Sequence, residues 1–270
     1  MSFSIAGKTA VVTGAANGVG LAIARHFVAR GANVMFADMD EERLVKEIGA
    51  VEDDDEGTTG YFAGDLREKL NVANLLSATI DRFDRVDILV NGSRQMLAAD
   101  PLNSDDDAVT QLLNQNLMTS LRLSQVFAKR MIKQAAERDD LDEPVGSIIN
   151  LSSIAARRTQ PNLLAYSVSS AAVDQLTRSM AVALAPERIR VNAIALGSVM
   201  SASLKGALQE HEEFREEIFD STPLNRIAAP SELAEVAQFL ASNGSGFMTG
   251  QILTVDGGRT LVDAVDAPAH

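Results

Sequence analysis

The sequence predicts an α/β fold: a doubly wound sheet of seven parallel strands with helices on both faces. Short apolar runs alternate with segments of helical periodicity along the chain, which is the pattern of a parallel sheet that is covered on both sides. A glycine-rich turn at residues 13–20 follows the first apolar run and opens the first helical segment. Strand, glycine turn and helix in this order indicate a binding site for a phosphate group.

Four short apolar runs in the first half of the chain predict strands, because they alternate with helical segments. They cover residues 8–13, 33–38, 58–62 and 86–91. The segments between them carry apolar residues at helical spacing and predict helices up to residue 30, over residues 41–48 and over residues 68–83. Gly31 is expected to end the first helix. The acidic stretch at residues 52–57 predicts a solvated turn.

The middle of the chain continues the alternation. Apolar residues at helical spacing predict a long helix over residues 105–136, and an acidic loop follows at residues 137–144. A fifth strand is predicted over residues 147–151. The next helix covers about residues 165–184, where Pro186 prevents its continuation.

The last third of the chain contains a sixth strand at residues 190–195 and a seventh at residues 251–255. The intervening segment, about residues 197–228, predicts a substrate loop with one acidic helical piece at residues 210–218, because long connections in such folds often cover a site. Ser231 is the predicted cap of a helix over residues 232–241. The tail, about residues 259–270, is expected to be loosely held. With no repeat and no linker, residues 1–270 are predicted to form one domain.

Composition narrows the classes of function. The net charge of −13 argues against nucleic acid or an anionic membrane as a partner. No apolar run approaches the roughly 20 residues that span a bilayer, and residues 1–6 lack the pattern of a signal peptide. With no cysteine and 3 histidines, a structural metal site is not expected. The absence of cysteine also favours a cytoplasmic location.

The turn and the strand ends that follow it predict a nicotinamide dinucleotide as the ligand. Gly14 allows the tight turn, Gly18 lets a pyrophosphate approach the backbone, and Gly20 lets the helix pack closely on the strand. Asp38, 18 residues after Gly20, ends the second strand. A carboxylate there accepts hydrogen bonds from ribose hydroxyls and repels a 2′-phosphate. Since Met39 follows it and the turn has no Lys or Arg, the sequence favours NAD over NADP.

Two further strand ends carry polar side chains. Asp65, after the third strand, is a candidate partner of the adenine amine. Asn91, after the fourth strand, lies at the carboxyl edge of the sheet, where ligands bind in such folds.

These positions together resemble the short-chain dehydrogenase/reductase family, and the resemblance covers nearly the whole chain. The glycine turn matches the family's Thr-Gly-x-x-x-Gly-x-Gly, and Tyr166 follows Ser153 by 13 residues, the family's usual separation. Further segments similar to family motifs are residues 87–91, 147–153, 190–194 and 248–258. The resemblance implies a Rossmann-type fold and hydride transfer between a nicotinamide and an alcohol or ketone. It also implies a homodimer or homotetramer, because the long helix and the Tyr166 helix are similar to those of the family's dimer interface.

The resemblance also implies roles for individual residues. Tyr166 would act as acid or base, Ser153 would stabilise charge on the substrate oxygen, and Asn116 would anchor a water relay. The expected cofactor-binding residues are Gly14, Asn17, Gly18, Val19, Gly20, Asp38, Met39, Asp65, Leu66, Asn91, Gly92, Tyr166, Gly197 and Val199.

Ser170 departs from the family pattern at the fourth catalytic position. The family has Tyr-x-x-x-Lys, and this chain has Tyr166 followed four residues later by Ser170. A lysine there would favour the ionised tyrosine and hold the nicotinamide ribose. Because serine carries no charge, we expect a rate deficit on the order of 10²–10⁴ in the usual mechanism. Arg157 or Arg158 is a candidate replacement for the positive charge, although a guanidinium is not equivalent to an ammonium.

Arg94 is a second departure, since it occupies the last position of the family's Asn-Asn-Ala-Gly motif. It would either crowd the nicotinamide side or reach an anionic substrate. A milder change is Leu196, which precedes Gly197 where the family has proline. The departures therefore gather near the nicotinamide end, whereas the adenosine end matches the family.

Two functions stay open at this point. The first is an NAD-dependent oxidoreductase acting on a secondary alcohol or ketone with impaired or altered proton transfer. The second is an NAD-binding homologue without catalysis, acting as a sensor or a structural subunit. Among the smaller candidates, His26 is expected to be structural. His211 is expected to be a solvated residue, with a stand-in base as the alternative. Arg226 either anchors the substrate loop or meets an acidic substrate.

Overall fold

A computed structural model describes residues 3–52, 57–137, 144–211 and 213–263 of the chain. Within them, seven parallel strands form one sheet in the order β3-β2-β1-β4-β5-β6-β7. The strands are β1 Thr9–Thr13, β2 Asn33–Asp38, β3 Thr59–Ala63, β4 Ile88–Asn91, β5 Gly146–Ser153, β6 Ile189–Leu196 and β7 Ile252–Val255. The predicted fold class is confirmed.

Helices connect the strands and cover both faces of the sheet. They are α1 Gly18–Ala29, α2 Glu41–Glu52, α3 Lys69–Phe83, α4 Ala108–Leu112, α5 Thr119–Ala136, α6 Leu164–Leu184, α7 Ala202–Glu210, α8 Glu213–Asp220 and α9 Pro230–Ala241. Gly31 follows α1 with a φ of 78°, the left-handed conformation expected of a glycine that closes a helix. Pro186 lies in a 3₁₀ turn, Ala185–Glu187, directly after α6.

Two apolar layers hold the helices to the sheet. Val12 of β1 packs in the layer that contains Phe27 of α1 and Leu240 of α9. Its neighbour Val11 points to the other face and packs in the layer with Phe127 of α5. Because successive side chains of a strand alternate between faces, a strand covered on both sides is apolar throughout. Burial of one side chain as large as Phe127 contributes roughly 1.5–3 kcal/mol.

The long helix differs from its prediction in its start and its regularity. It begins at Ala108 rather than at residue 105, and a π-helical turn, Leu113–Met118, joins α4 to α5. Such turns widen the helix by one residue and often occur at functional sites. Asn116 lies in this turn.

The predicted cap at Ser231 is wrong. Helix α9 begins at Pro230, and Ala229 takes the capping position with extended backbone. Proline suits the first helical position, since its φ is already helical and its missing N–H is not needed there. Glu232 replaces the serine in function: its Oε2 accepts a hydrogen bond from the Ala229 N–H at 2.8 Å.

The segment predicted as a substrate loop, about residues 197–228, contains two helices, α7 and α8, rather than the single acidic piece that was predicted. Its two ends are joined by a parallel bridge between Val199 and Ala228. Ser201 caps α7, because its Oγ accepts a hydrogen bond from the Leu204 N–H at 3.2 Å. A serine is a preferred N-cap residue, so Ser201 marks the start of this helix in the sequence.

Parts of three other predictions lie outside the described residues. These parts are residues 53–56 of the acidic turn, residues 138–143 of the acidic loop and residues 264–270 of the tail. The described beginning of the tail, Arg259–Leu261, forms a 3₁₀ turn.

The strand order reverses between β1 and β4, which pair side by side with β2 and β5 on their outer sides. At this point the carboxyl ends of β1 and β4 approach closely: a Cβ on Gly14 would lie 2.7 Å from the carbonyl oxygen of Gly92. Connections leave the two strands toward opposite faces here, so a crevice opens at the edge of the sheet.

Candidate active site

A cavity of about 750 Å³ lies at this edge and collects most of the predicted site residues. Those that line it are Gly14, Asn17, Gly18, Val19, Gly20, Asp38, Met39, Asp65, Leu66, Gly92, Ser153, Tyr166, Gly197 and Val199. Three predicted residues, Asn91, Asn116 and Ser170, are not among the lining residues. The glycine turn and the Ser153–Tyr166 pair, far apart in sequence, therefore share one cavity.

The glycine turn presents backbone to the cavity where α1 begins. Gly18 has a φ of 58°, and a Cβ there would meet only the Ser201 Cβ, at 3.8 Å. Its surroundings therefore leave room for a ligand close to the main chain. The first turn of α1 contains no acidic residue, so the positive end of the helix dipole faces the opening without a competing charge.

Asp38 holds its carboxylate beside the glycine turn. Its Oδ2 accepts a hydrogen bond from the Ala16 N–H at 3.1 Å, and its Oδ1 accepts one from the Met39 N–H at 2.8 Å. The two donors fix the position of a negative charge at the cavity wall. Such a fixed charge accepts hydroxyl donors and disfavours an added phosphate.

Asp65 also lines the cavity, but an arginine already binds its carboxylate. Arg67 donates from Nη2 to Oδ2 at 2.6 Å and from Nε to Oδ1 at 2.9 Å. The side-chain hydrogen bonds from Arg67 hold the pKa of the Asp65 carboxyl below its usual range. A ligand amine that approaches Asp65 would therefore compete with Arg67 for this carboxylate.

Asn91 points into the protein rather than into the cavity. Its Nδ2 donates to Asn150 Oδ1 at 2.8 Å and to Ser124 Oγ at 3.1 Å. Its side chain thus ties β4 to β5 and α5. The contribution of this segment to the cavity comes from the next residues, beginning with Gly92, whose N–H donates to Thr13 Oγ1 at 3.0 Å.

Asn116 is buried in the π turn and holds the loop after β4. Its Oδ1 accepts a hydrogen bond from the Gln95 N–H at 2.8 Å, and its Nδ2 donates to the Gln95 carbonyl at 3.0 Å. The main-chain carbonyl of Asn116 accepts a hydrogen bond from Ser120 Oγ at 2.8 Å. The amide side chain therefore fixes the backbone next to Arg94.

Ser153 and Tyr166 stand on two elements that meet at the cavity. Ser153 is the last residue of β5, and its Oγ accepts a hydrogen bond from the Ala155 N–H at 3.1 Å, which caps a short 3₁₀ turn. Tyr166 lies in the first turn of α6. Ser153 and Tyr166 are each about 6% exposed, so both line the cavity while being largely buried.

Arg94 lies against Tyr166. Its guanidinium carbon is 5.7 Å from the centroid of the tyrosine ring, and its Nη1 donates to the Ser152 carbonyl at 2.6 Å. Ser170, one helical turn after Tyr166 on α6, is 4% exposed. Arg94 lines the cavity. This position is compatible with both suggested roles, crowding the nicotinamide side and reaching an anionic substrate.

Asp174 lies one turn further along α6 and is buried as well. It accepts a hydrogen bond from Ser152 Oγ at 2.6 Å. Burial raises the pKa of this carboxyl, while the hydrogen bond from Ser152 and the charges of Arg157 and Arg178 oppose the rise.

Arg157 and Arg158 hydrogen-bond away from Tyr166. Arg157 Nη1 donates to Thr254 Oγ1 at 3.3 Å, and Arg158 Nη2 donates to the Thr260 carbonyl. Arg158 lines the cavity, and so does Arg259, whose Nη1 donates to Ser198 Oγ at 3.0 Å. Sequence reasoning missed Arg259, because it assigned this residue to a loose tail.

The smaller candidates occupy structural positions. His26 Nε2 lies 2.7 Å from Gln238 Oε1 and links α1 to α9. His211 stacks on Phe214 and does not line the cavity. Arg226 forms two hydrogen bonds of 2.7 Å with Glu232 and so anchors the end of the substrate loop. Arg226 and the Ala229 N–H lower the pKa of Glu232 to about 2.

Among the described residues, no helix is long and apolar enough to cross a membrane. No group of three or more His, Cys, Asp or Glu side chains there is arranged to hold a metal ion.

Comparisons with known proteins show similarity to oxidoreductases over nearly the whole chain. A family model described as Enoyl-(Acyl carrier protein) reductase matches residues 14–260. The chain is 32% identical over 261 residues to 3-oxoacyl-[acyl-carrier-protein] reductase of Thermotoga maritima, covering 94% of this chain and 98% of that protein.

Two solved structures share the fold. A 7α-hydroxysteroid dehydrogenase complexed with NADH and 7-oxo glycochenodeoxycholic acid has a TM-score of 0.86 and 28% identity, covering 95% of this chain and 96% of that chain. A gluconate 5-dehydrogenase from Burkholderia cenocepacia in complex with NADP and tartrate has a TM-score of 0.86 and 30% identity, covering 97% of this chain and 98% of that chain.

Proposed function

Since this chain belongs to the short-chain dehydrogenase/reductase family of oxidoreductases, we propose that it interconverts a secondary alcohol and a ketone with NAD as the cofactor. One observation carries this proposal: Ser153 and Tyr166 line the same cavity as the glycine turn. A hydroxyl pair alone would be unremarkable. Beside a dinucleotide-binding turn it supplies the proton-transfer and oxyanion-binding groups that carbonyl reduction needs.

The described residues fit a nicotinamide dinucleotide. The open space over Gly18 and the N-terminus of α1 suit a pyrophosphate. The carboxylate of Asp38 favours ribose hydroxyls over a 2′-phosphate, and this favours NAD. One solved relative contains NADH and the other contains NADP. Because the relatives do not decide between the two cofactors, the proposed preference for NAD rests on Asp38.

The bound nicotinamide would supply or accept hydride. In the proposed reaction, Ser153 Oγ hydrogen-bonds the substrate oxygen, and Tyr166 passes a proton to or from that oxygen. Asn116 acts at a distance, because its side chain holds the Gln95 backbone and thereby the loop that carries Arg94. Ser170 adds no charge at its position, so we propose that proton transfer is slower than with a lysine there.

The test is the change in NADH absorbance with a panel of secondary alcohols and ketones. We expect turnover by the native protein, and a loss of roughly 10²–10⁴-fold in the Tyr166→Phe variant, which lacks the transferable proton. Tyr61, the second tyrosine, is exposed outside the cavity, so Tyr61→Phe is the matched control. Tight NADH binding without turnover on any substrate would refute the enzyme proposal.

The second candidate is an NAD-binding protein without catalysis, serving as a sensor or structural subunit. The observation that favours it is the pair of departures at Ser170 and Arg94, both near Tyr166. NADH titration together with a search for co-purifying proteins tests it. Turnover that disappears in Tyr166→Phe would exclude it.

A homodimer or homotetramer and a cytoplasmic location complete the proposal. Helix α6 exposes Leu164, Val168 and Val182, which are apolar. An apolar helix face of this kind supports association of two copies. Light scattering of the purified protein distinguishes a dimer from a tetramer.

A further inference from the structure

The two ends of the cavity carry charges of opposite sign. The acidic lining residues are Asp38, Asp40 and Asp65, and the basic ones are Arg94, Arg158 and Arg259. Asp38 ends β2, Asp40 follows it and Asp65 follows β3, so the acids lie at the end nearest the glycine turn. The arginines follow β4, β5 and β7, on the side of Ser153 and Tyr166. We call this second part the arginine end.

Composition does not account for the arginine end. The chain has 37 Asp and Glu residues against 24 Lys and Arg residues, so acids outnumber bases on average. Among the described residues, the only Asp or Glu side chains that line the cavity are the three acids already named, which come from the ends of β2 and β3. A local excess of one sign in a concave site raises the concentration of ligands of the opposite sign.

Among the described residues, the three guanidinium groups bind no carboxylate. Their hydrogen bonds go to uncharged acceptors: the carbonyls of Ser152 and Thr260 and the hydroxyl of Ser198. In the described part of the chain none of the three forms an ion pair, whereas Arg226 is paired with Glu232. Each guanidinium has five N–H donors, so most of them stay available to a ligand.

Arg158 and Arg259 line the same cavity, and a hydrogen bond ties Arg158 to the main chain next to Arg259. Arg158 donates to the carbonyl of Thr260, which is the residue directly after Arg259. Two like charges in one cavity repel each other, and an anion bound to both reduces the repulsion. The planar guanidinium binds carboxylate or phosphate oxygens in pairs, which gives such a site its selectivity.

We infer that the substrate of the proposed oxidoreductase carries an oxyanion, either a carboxylate or a phosphate, which Arg158 and Arg259 bind. The alcohol or ketone group then lies at Ser153 and Tyr166. This inference rests on the proposed function for the reacting group. The oxyanion site itself rests only on the arrangement of the arginines.

Calorimetric titration with two inert probes, succinate and inorganic phosphate, tests the site with and without saturating NADH. We expect at least one probe to bind, and the double variant Arg158→Gln with Arg259→Gln to weaken its binding by roughly tenfold or more, because charge-assisted hydrogen bonds are lost. The matched control is Arg157→Gln, since Arg157 is adjacent in sequence, bears the same charge and bonds to Thr254 instead. In the Arg157→Gln variant the Kd for the probe should change less than about twofold.

The result that overturns the inference is that neither probe binds, or that the double variant binds them as tightly as the native protein. The probe that binds more tightly identifies the oxyanion. Circular dichroism and the melting temperature establish that the variants are folded.

Turnover separates this inference from the proposed function. With 3-hydroxybutyrate and 2-butanol as a charged and an uncharged alcohol, a KM at least about tenfold lower for the acid supports the inference. Equal KM values would refute the inference while leaving the oxidoreductase proposal intact. Arginine-dependent binding of succinate or phosphate without any turnover would refute the oxidoreductase proposal and support the oxyanion site.

Discussion

The guanidinium of Arg94 lies over the ring of Tyr166, 5.7 Å from its centroid, and is held there by a 2.6 Å hydrogen bond to the Ser152 carbonyl. A fixed positive charge thus lies beside the proposed acid or base, on a loop that Asn116 in turn fixes. The charge comes from the connection after β4, whereas the family pattern would place it on α6.

Replacing Arg94 tests whether this charge assists the reaction. A cation over an aromatic ring contributes roughly 0.5–2 kcal/mol, which corresponds to about a 2- to 30-fold change in rate. We expect Arg94→Gln to lower kcat within that range and to leave the Kd for NAD within about twofold. Initial rates and NADH titration measure both, with Arg157→Gln as the control. An undiminished kcat in Arg94→Gln would show that the contact is only structural.

Ser170→Lys tests the absent ammonium directly. We expect turnover to rise on the order of 10²-fold and the rate–pH profile to move to lower pH, because a cation near Tyr166 favours proton release. Ser170→Met is the matched control, since it has similar length and no charge. If both variants bind NAD and neither gains activity over the native protein, the absent lysine does not limit the rate.

Asp38→Asn tests the preference for NAD. Removing the charge at the cavity wall removes its repulsion of a 2′-phosphate, so the ratio of NADP affinity to NAD affinity should rise by roughly tenfold. Asp40→Asn is the control, because Asp40 also lines the cavity but pairs with Arg43. Fluorescence titration with NADH and NADPH measures the ratio. Equal ratios in the two variants would assign the preference to other residues.

Gly18→Ala and Gly7→Ala separate backbone strain from ligand binding. Gly18 and Gly7 have positive φ values of 58° and 73°. A Cβ added at either position would have no neighbour within 3.4 Å. An alanine in this conformation costs about 1–2 kcal/mol, so both variants should lose similar stability in urea. Only Gly18→Ala should also weaken NADH binding, because its methyl group enters the cavity. Comparable NADH affinity in both variants would place the pyrophosphate elsewhere.

Asp174 predicts a pH dependence of stability. Since burial raises the pKa of the folded Asp174 carboxyl above 3.8, the folded state binds more protons than the unfolded state in the window above that value. Its contribution to stability therefore falls as the pH rises through this window. Asp174→Asn should raise the melting temperature at pH 7 and have less effect near pH 3. A lower melting temperature at pH 7 would show that the bond to Ser152 requires the carboxylate.

The fold was accessible from the sequence because its signals are local. Apolar runs mark strands that are buried on both faces, and Gly31 and Pro186 mark helix ends through their own backbone restrictions. The predicted start of α9 at Ser231 was wrong because three adjacent residues all favour a helix start: Pro230, Ser231 and Glu232. The sequence alone does not show which of them sets the first helical position. The π turn around Asn116 left no local signal.

Most of the predicted site residues line the cavity, because the family motifs place the glycine turn and the Ser153–Tyr166 pair at strand ends. The side chain of Asn91 does not, and only the packed structure shows that it bonds to Asn150 and Ser124. Arg259 was missed because nothing in its neighbourhood marks a charged residue as part of a distant site.

By itself, the sequence determined the order of strands and helices, the dinucleotide-type turn and the identity of the polar residues at the strand ends. Tertiary structure alone decided which side chains come together: Arg94 lies over the ring of Tyr166, and Arg158 and Arg259 line one cavity. The reason is physical. Secondary structure follows from periodicity and backbone restriction within a few residues, whereas electrostatic contacts between segments depend on how the sheet brings distant loops to one edge.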